Sequence, residues 1–467
     1  MTLFTLAAWT CCVPGVSITM TQSQVTHVSM YPMSGRTMNE RFGSAIGTAG
    51  DINGDGFDDL IVGSPNDSSF AFEVGSVRVF SGEDGIVLLT LHGTLLSDHF
   101  GTAVSSAGDT NNDGVGDLII GAPDSDQNGM SSGSAQVISG LTGELLHVLL
   151  GEHVEDAFGS SVGCAGDVNN DGFDDLIVGS YNESHLVSRT GGARVFSGAD
   201  GSLLYEVFGE SPFDYLGYAV DTAGDINLDG FDDFVVSAYL DDDNGIDSGT
   251  VRFYSGIDGS LIRVIKGESA ADYFGFSVCH SGDVDNDGWD DVIVGAYGND
   301  ANGPNSGSAT VISGRTGEFL HVFRGEQAGS YFGYSVSGAG DVNGDQHDDL
   351  IVGAQFSGTN GLHSGSAFVY SGADGTVLYA FHGDDSGDFF GQSVAGAGDA
   401  NNDGISDFVV GAWGDDNLGS ESGSVRLFLS VPFPGAPEPC PGDINDDGLV
   451  DCNDLNVILS NWNNDCQ

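Results

Sequence analysis

Between residues 29 and 430, apolar residues come in short bursts broken by turns rich in Gly, Asp, Asn and Ser, and no window sustains helical spacing. The order of the bursts recurs. After Phe42-Gly43 comes Ser44-Ala45-Ile46-Gly47-Thr48-Ala49-Gly50, a strand of small and β-branched residues. An acidic loop follows, then the continuously apolar Leu60-Ile61-Val62-Gly63. A polar loop leads to the alternating Ser76-Val77-Arg78-Val79-Phe80, and a Ser-Gly-x-x-Gly turn feeds Val87-Leu88-Leu89-Thr90-Leu91-His92. Phe-Gly returns at Phe100-Gly101, Phe158-Gly159, Phe274-Gly275, Phe332-Gly333 and Phe390-Gly391, with Leu216-Gly217 in the remaining slot, and every step is 58 residues. Seven equal copies of four short strands predict an all-β, seven-bladed β-propeller with four-stranded blades. A parallel β-helix is the competitor, but it would need much shorter coils.

The seventh copy stops after its third strand, Ser424-Val425-Arg426-Leu427-Phe428, and breaks into the Pro-rich Pro432–Pro437. Residues in the missing phase lie near the other terminus, at Ser29-Met30-Tyr31-Pro32-Met33. This segment is expected to close blade seven and remove the exposed sheet edges. Pro32 then requires the outermost place in its blade, where no ladder hydrogen bond is lost. The propeller is accordingly assigned to residues 25–430, a Pro-rich linker to 431–439, and a small calcium-loop and helix module to 440–467. Residues 1–20 hold the apolar Leu3–Val13, without a basic start or a clean cleavage site. It reads either as a degraded or mis-started signal segment or as a buried or frayed end. No later run approaches the length of a membrane span.

Each period carries the loop D-x-[ND]-x-D-G-x-x-D. Its copies present Asp51, Asn53, Asp55 and Asp59; Asp109, Asn111, Asp113 and Asp117; Asp167, Asn169, Asp171 and Asp175; and Asp225, Asn227, Asp229 and Asp233. They continue with Asp283, Asp285, Asp287 and Asp291; Asp341, Asn343, Asp345 and Asp349; and Asp399, Asn401, Asp403 and Asp407. Oxygen ligands at alternate positions, with a glycine at the bend, are what Ca²⁺ requires, and a main-chain carbonyl at the seventh position completes the shell. Those carbonyls belong to Phe57, Val115, Phe173, Phe231, Trp289, His347 and Ile405. No His or Cys side chain is in the ligand set, so zinc and copper fit poorly. Good turn formation alone would explain one such loop, not seven in one register. The sixth is the weakest, because Gln346 replaces the bend glycine.

Charge supports that reading. The chain has 69 acidic residues against 11 Lys and Arg, a formal charge of −58. Such a surface repels nucleic acid and anionic lipid, and a compact polyanion needs counter-charge. Seven Ca²⁺ would bring +14 and an eighth +16, taking −58 to −42. Seven cysteines are too few to build the main fold from disulfides.

Phe-Gly, the acidic loop and the later Gly-Ala-Pro (Gly121-Ala122-Pro123, with Gly63-Ser64-Pro65 close) together resemble the FG-GAP repeats of integrin α-subunit head domains, over about residues 29–430. The resemblance implies calcium in hairpin loops on one face and ligand or partner contacts on the other. The family carries calcium in only some blades, whereas here every blade has a plausible loop. No integrin-like leg, membrane segment or cytoplasmic tail is seen after the repeats, which points to a bacterial-type integrin-like protein. The tail resembles half a dockerin: Asp443, Asn445, Asp447, Leu449 (through its carbonyl), Asp451 and Asp454 fall at EF-hand-like ligand positions. Cohesin docking or surface attachment through this tail is one expectation. A Cys440–Cys466 staple, leaving Cys452 over, would fit an oxidising compartment.

Strand polarity places the acidic loops on one face, and Phe-Gly and Gly-Ala-Pro on the other. The position after Gly-Ala holds Pro65, Pro123, Tyr181, Tyr239, Tyr297, Gln355 and Trp413, while Tyr215, Tyr273 and Tyr331 precede the dipeptide in blades four to six. In integrins the comparable region is an aromatic cage receiving a basic side chain, so a cationic or sugar ligand is one expectation. Packing between blades is the alternative, and Trp413 and Tyr239 are the candidates for exposure. His92 and His382 share one repeat phase, and His147 and His321 another, as structural strand positions would. Cys164 and Cys279 read as buried thiols. No nucleophile elbow or phosphate loop appears, so no catalytic residue is assigned. The expected function is non-catalytic adhesion or recognition of a protein or polysaccharide, outside the cell or on its surface. The alternatives are an accessory propeller of an extracellular hydrolase or lyase system and a structural envelope or matrix component.

Overall fold

The computed structural model describes residues 28–184 and 187–430. The candidate signal segment 1–20, the linker 431–439 and the whole tail 440–467, with its proposed ligands and cysteines, lie outside the described residues. Within them are seven four-stranded antiparallel sheets. In the first blade the strands are Ala45–Gly50, Asp59–Ser64, Ser76–Phe80 and Val87–His92, and the other copies repeat this order. The seventh sheet is completed by Val28–Ser34, which pairs antiparallel with Ser424–Leu429. This segment has no second neighbour, so Pro32 sits on an edge as its missing N–H demands, and the register shifts between Ser29 and Pro32. The first strand of blade one contacts that of blade seven, and the ring is closed. A β-helix is excluded.

Burial follows from this arrangement. Each blade is covered on both faces, so its second strand is buried at every residue, and between a leading aspartate and a small last residue its sequence is apolar. Each core cluster spans two blades. Ile61, Val77 and Val79 of blade one meet Phe100, Leu118 and Ile120 of blade two. At the closing seam Phe42, Leu60 and Val62 meet Val409, Val425 and Leu427. Phe42, Phe100, Phe158 and Phe390 are essentially fully buried, and Leu216 fills its slot equally well.

The glycines of the repeat serve one contact. The Phe-Gly glycine donates its N–H to the carbonyl of the second-strand glycine in the same blade, as in Gly43 to Gly63 and Gly101 to Gly121, both 3.0 Å. That second glycine in turn lies against the next blade: a Cβ on Gly121 would stand 2.0 Å from the Gly159 carbonyl oxygen, and one on Gly353 1.9 Å from that of Gly391. Any side chain there would push neighbouring blades apart. Blade four departs from the pattern, with Ser237 at the position and its hydroxyl accepting from the Ala219 N–H at 2.9 Å.

Candidate functional site

The seven acidic loops share one geometry. The first-position carboxylate gathers main-chain N–H groups: Asp51 Oδ1 accepts from Gly54 (2.8 Å) and Asp55 (3.0 Å), and its Oδ2 from Gly56 (2.8 Å). Asp109, Asp167, Asp225, Asp283 and Asp399 repeat the last two bonds. The fifth-position carboxylate accepts from the seventh N–H in every copy, at Phe57, Val115, Phe173, Phe231, Trp289, His347 and Ile405. In the sixth loop Gln346 adopts φ +69° and still donates to Asp341 Oδ2 at 2.8 Å. The missing glycine therefore costs strain, not the loop.

The ninth-position aspartates differ from the rest. Asp59, Asp117, Asp175, Asp233, Asp291, Asp349 and Asp407 are all fully buried. Each ties the loop to the turn after the third strand: Asp59 Oδ1 accepts from Gly82 (3.1 Å) and its Oδ2 from Ile52 (3.1 Å). Burial first, then the neighbouring first- and fifth-position carboxylates, pushes Asp59, Asp175, Asp233 and Asp407 up to about 7. The same causes, with Asp285 and Asp283 as neighbours, bring Asp291 to about 7, and Asp349 reaches about 8. Asp117 is raised as well. Each loop thus holds a carboxylate in a place unfavourable to bare negative charge.

The donor set fits a hard cation. Oδ1 of Asn111, Asn169, Asn343 and Asn401, and Oδ2 of Asp175 and Asp407, are buried without a hydrogen-bond partner. These are third- and ninth-position oxygens, and burying such an atom unsatisfied costs about 1–3 kcal/mol. Asn111 gives its Nδ2 to Asp117 Oδ1 (3.1 Å), which leaves the amide oxygen free for an ion. In the fifth loop, oxygens of Asp283, Asp285 and Asp287 lie within 4.8 Å of one another. A second acidic group, His153, Asp156 and Glu183, is already neutralised, because Arg194 grips Glu183 with bonds of 2.8 and 2.7 Å.

The opposite face carries an arc of aromatic rings. Tyr181, Tyr215, Tyr239, Tyr273, Tyr297 and Tyr331 follow one another with centroid separations of 5.7, 6.2, 6.3, 5.0 and 5.1 Å. The series continues through Phe356 and Phe389 to Trp413, the last two stacked at 4.7 Å and 3°. All seven aromatics singled out from the sequence are therefore in one array, and all are half-buried. Tyr239 lies among Tyr215, Tyr218, Tyr273 and Phe276, and Trp413 between Phe389 and Arg41. Successive rings come from neighbouring blades, so the array packs one blade against the next while each ring keeps part of its surface open. Glycines make room for them: a Cβ on Gly298 would meet the Tyr273 ring at 2.5 Å, and one on Gly414 the Phe389 ring at 2.6 Å. Arginines bracket the arc, Arg41 lying 4.5 Å over Trp413 and Arg189 donating to the Tyr215 hydroxyl at 3.2 Å. Burial pushes Tyr239 up to about 12 and raises Tyr181 and Tyr297, so these phenols stay protonated hydrogen-bond donors.

Further rings join the face. Phe389 occupies the Tyr331 phase in blade seven, Phe356 lies one residue past Gln355 in blade six, outside the repeat phases, and Tyr218, Phe276 and Tyr334, one period apart, form an inner row. The position before each Phe-Gly (or Leu-Gly) has φ between 51° and 56°: Arg41, His99, Ala157, Tyr215, Tyr273, Tyr331 and Phe389. Left-handed backbone at bulky residues is uncommon and strained, and it aims these side chains at the face. The histidines behave as expected, His147 and His321 each bonding a turn carbonyl of the next blade at 2.7 Å. The two thiols correct the reading from sequence. Cys164 and Cys279 are half-buried and line a central channel of about 720 Å³, because first strands face the axis and not a sealed core. Burial raises both thiols, Cys279 to about 12.

The FG-GAP repeat profile matches residues 42–80, 100–138, 158–196, 274–312 and 332–370. Integrin alpha-5 of Xenopus laevis is 30% identical over 233 residues, covering 46% of this chain and 21% of that protein. Integrin alpha-V of Gallus gallus is 30% identical over 205 residues, covering 40% and 19%. Integrin alpha-8 of Homo sapiens is 26% identical over 273 residues, covering 51% and 25%. The aligned stretches span a quarter or less of these relatives.

Proposed function

Because this chain carries FG-GAP repeats and is homologous to integrin α subunits over its propeller, we propose that it is a calcium-loaded recognition module outside the cell. It binds a protein or polysaccharide through the aromatic face and catalyses no reaction. The first, third, fifth and ninth side chains of each loop, with the seventh carbonyl, hold Ca²⁺. The ion supplies the positive charge that the buried ninth aspartate lacks. The tail from Cys440 onward serves as an attachment module with an ion of its own.

The observation that carries the recognition reading is the arc from Tyr181 to Trp413. Left-handed backbone before the Phe-Gly or Leu-Gly dipeptide is common to all seven blades, and where that residue is Tyr215, Tyr273, Tyr331 or Phe389 it sets a ring in the arc. Half-buried rings with protonated phenols, and arginines at Tyr215 and Trp413, suit the apolar face and hydroxyls of a sugar or the extended side chain of a protein partner. The test is binding to a glycan array and to intact cell surfaces, with and without calcium, by the wild type and by Tyr297→Ala and Trp413→Ala. Retention of all binding by both variants would refute this assignment. A partner captured through the tail alone would favour the structural, matrix-type reading.

A further inference from the structure

The acidic loops are not independent of one another. The eighth position of the loop motif, which supplies no ligand, reaches across to the preceding blade. Asp174 Oδ2 accepts the N–H of Asp109, the first ligand residue of the loop before it, at 2.7 Å. Asp232 does the same to Asp167 at 2.9 Å, and Asp348 to Asp283 at 2.9 Å. Asp58 closes the ring by accepting from Asp399 at 2.8 Å. Return bonds run from the N–H of Asp174, Asp348 and Asp58 to the carbonyls of the residues they grip, at 3.4, 3.4 and 3.3 Å. The other three seams differ. Gly116 has no carboxylate, Ser406 keeps only the main-chain bond to Asp341 (3.1 Å), and Asp290 is engaged by His280 Nε2 at 3.4 Å.

We propose that these eighth-position aspartates are positioning residues for the cation site of the neighbouring blade, so that the seven sites fill as coupled groups, not singly. The groups are set by the clasped seams: blades two, three and four; blades five and six; blades seven and one. The physical reason is direct. The first ligand carboxylate converges on an ion more readily when its own peptide is held, and in four blades the holding atom belongs to the next loop. Outer-shell hydrogen bonds of this kind are worth about 10–100-fold in metal affinity. An ion in one loop rigidifies the strand end that carries the clasp for the loop before it, which couples the two sites. This inference rests on the calcium reading of the loops.

Blade five offers a built-in reporter. Trp289 is the one tryptophan among the seven loops, and its carbonyl is the seventh-position ligand of loop five. Terbium, a luminescent stand-in for Ca²⁺, is excited by a nearby indole. The experiment titrates terbium into the full chain, and calcium against it, in a Trp462→Phe background that silences the tail. Asp348→Ser is compared with Asp348→Asn. Serine is already accommodated at this phase in blade seven, so the fold should survive, whereas asparagine keeps an acceptor for the Asp283 N–H. Asp348→Ser should weaken loop-five binding by about tenfold while Asp348→Asn stays within about threefold. Unchanged terbium affinity in Asp348→Ser would overturn the coupling, as would an equal loss in both variants, which would mean net charge and not positioning. If the background protein itself shows no indole-sensitised terbium signal, the calcium reading fails first, and the two failures are distinguishable.

Discussion

Removal of calcium should cost this propeller most of its stability, and the size follows from the loops. A ligand present at one hundred times its dissociation constant adds about 2.7 kcal/mol per site when only the folded state binds it. Seven such loops give a ceiling of about 19 kcal/mol, more than the roughly 5–15 kcal/mol by which whole domains are commonly stable. The structure says why the ion-free state is poor. Six third- and ninth-position oxygens are buried unsatisfied, and seven ninth-position carboxylates are buried beside other carboxylates. Protons relieve part of this, since most of those aspartates are held at about 7, so the ceiling is approached only on the alkaline side. One kcal/mol moves the melting point by about 2–4 °C for 150–250 residues and by about half that for a ring of this size. Differential scanning calorimetry at about pH 8 should therefore show a fall of about 20–40 °C on adding chelator. A fall of under about 5 °C would mean that the loops are self-sufficient turns, and the cation argument would be wrong.

Other outcomes follow from the same geometry. In chelator, melting points should rise as pH is lowered from about 8 to about 5: a carboxylate whose folded value is raised binds its proton more tightly when folded, so its penalty appears as pH climbs through about 7. With calcium bound the trend should flatten or reverse, because the ion and the proton compete for the same oxygens; a chelated protein that loses stability on acidification over this range would contradict the assignment. Gly353→Ala, whose Cβ would stand 1.9 Å from the Gly391 carbonyl oxygen, should cost about 3 kcal/mol or more in chemical denaturation with calcium present. Gly387→Ala meets nothing within 4 Å but has φ +89°, and should cost only the backbone term of about 1–2 kcal/mol. Similar losses at the two sites would argue against the tight blade contact.

Much of this molecule was determined locally. The bursts of apolar residues, their spacing of 58 and the truncated last copy were enough to predict the ring, its four-stranded blades and its closure by Ser29–Met33, because a blade buries both faces and writes that burial into its second strand. The acidic loops and their shared turn geometry were legible for the same reason: alternate Asp and Asn with a bend glycine form one continuous stretch of chain. What the sequence could not show is whatever depends on the neighbouring blade. Nothing in the linear pattern says that Asp174 holds the peptide of Asp109, 65 residues away, or that Asp290 is diverted to His280. Nor does it reveal that Tyr181 and Trp413 are ends of a single array, or that the residue before each Phe-Gly has left-handed backbone. Those features are created when blades are set radially around an axis, which brings together positions a full repeat or more apart in the chain.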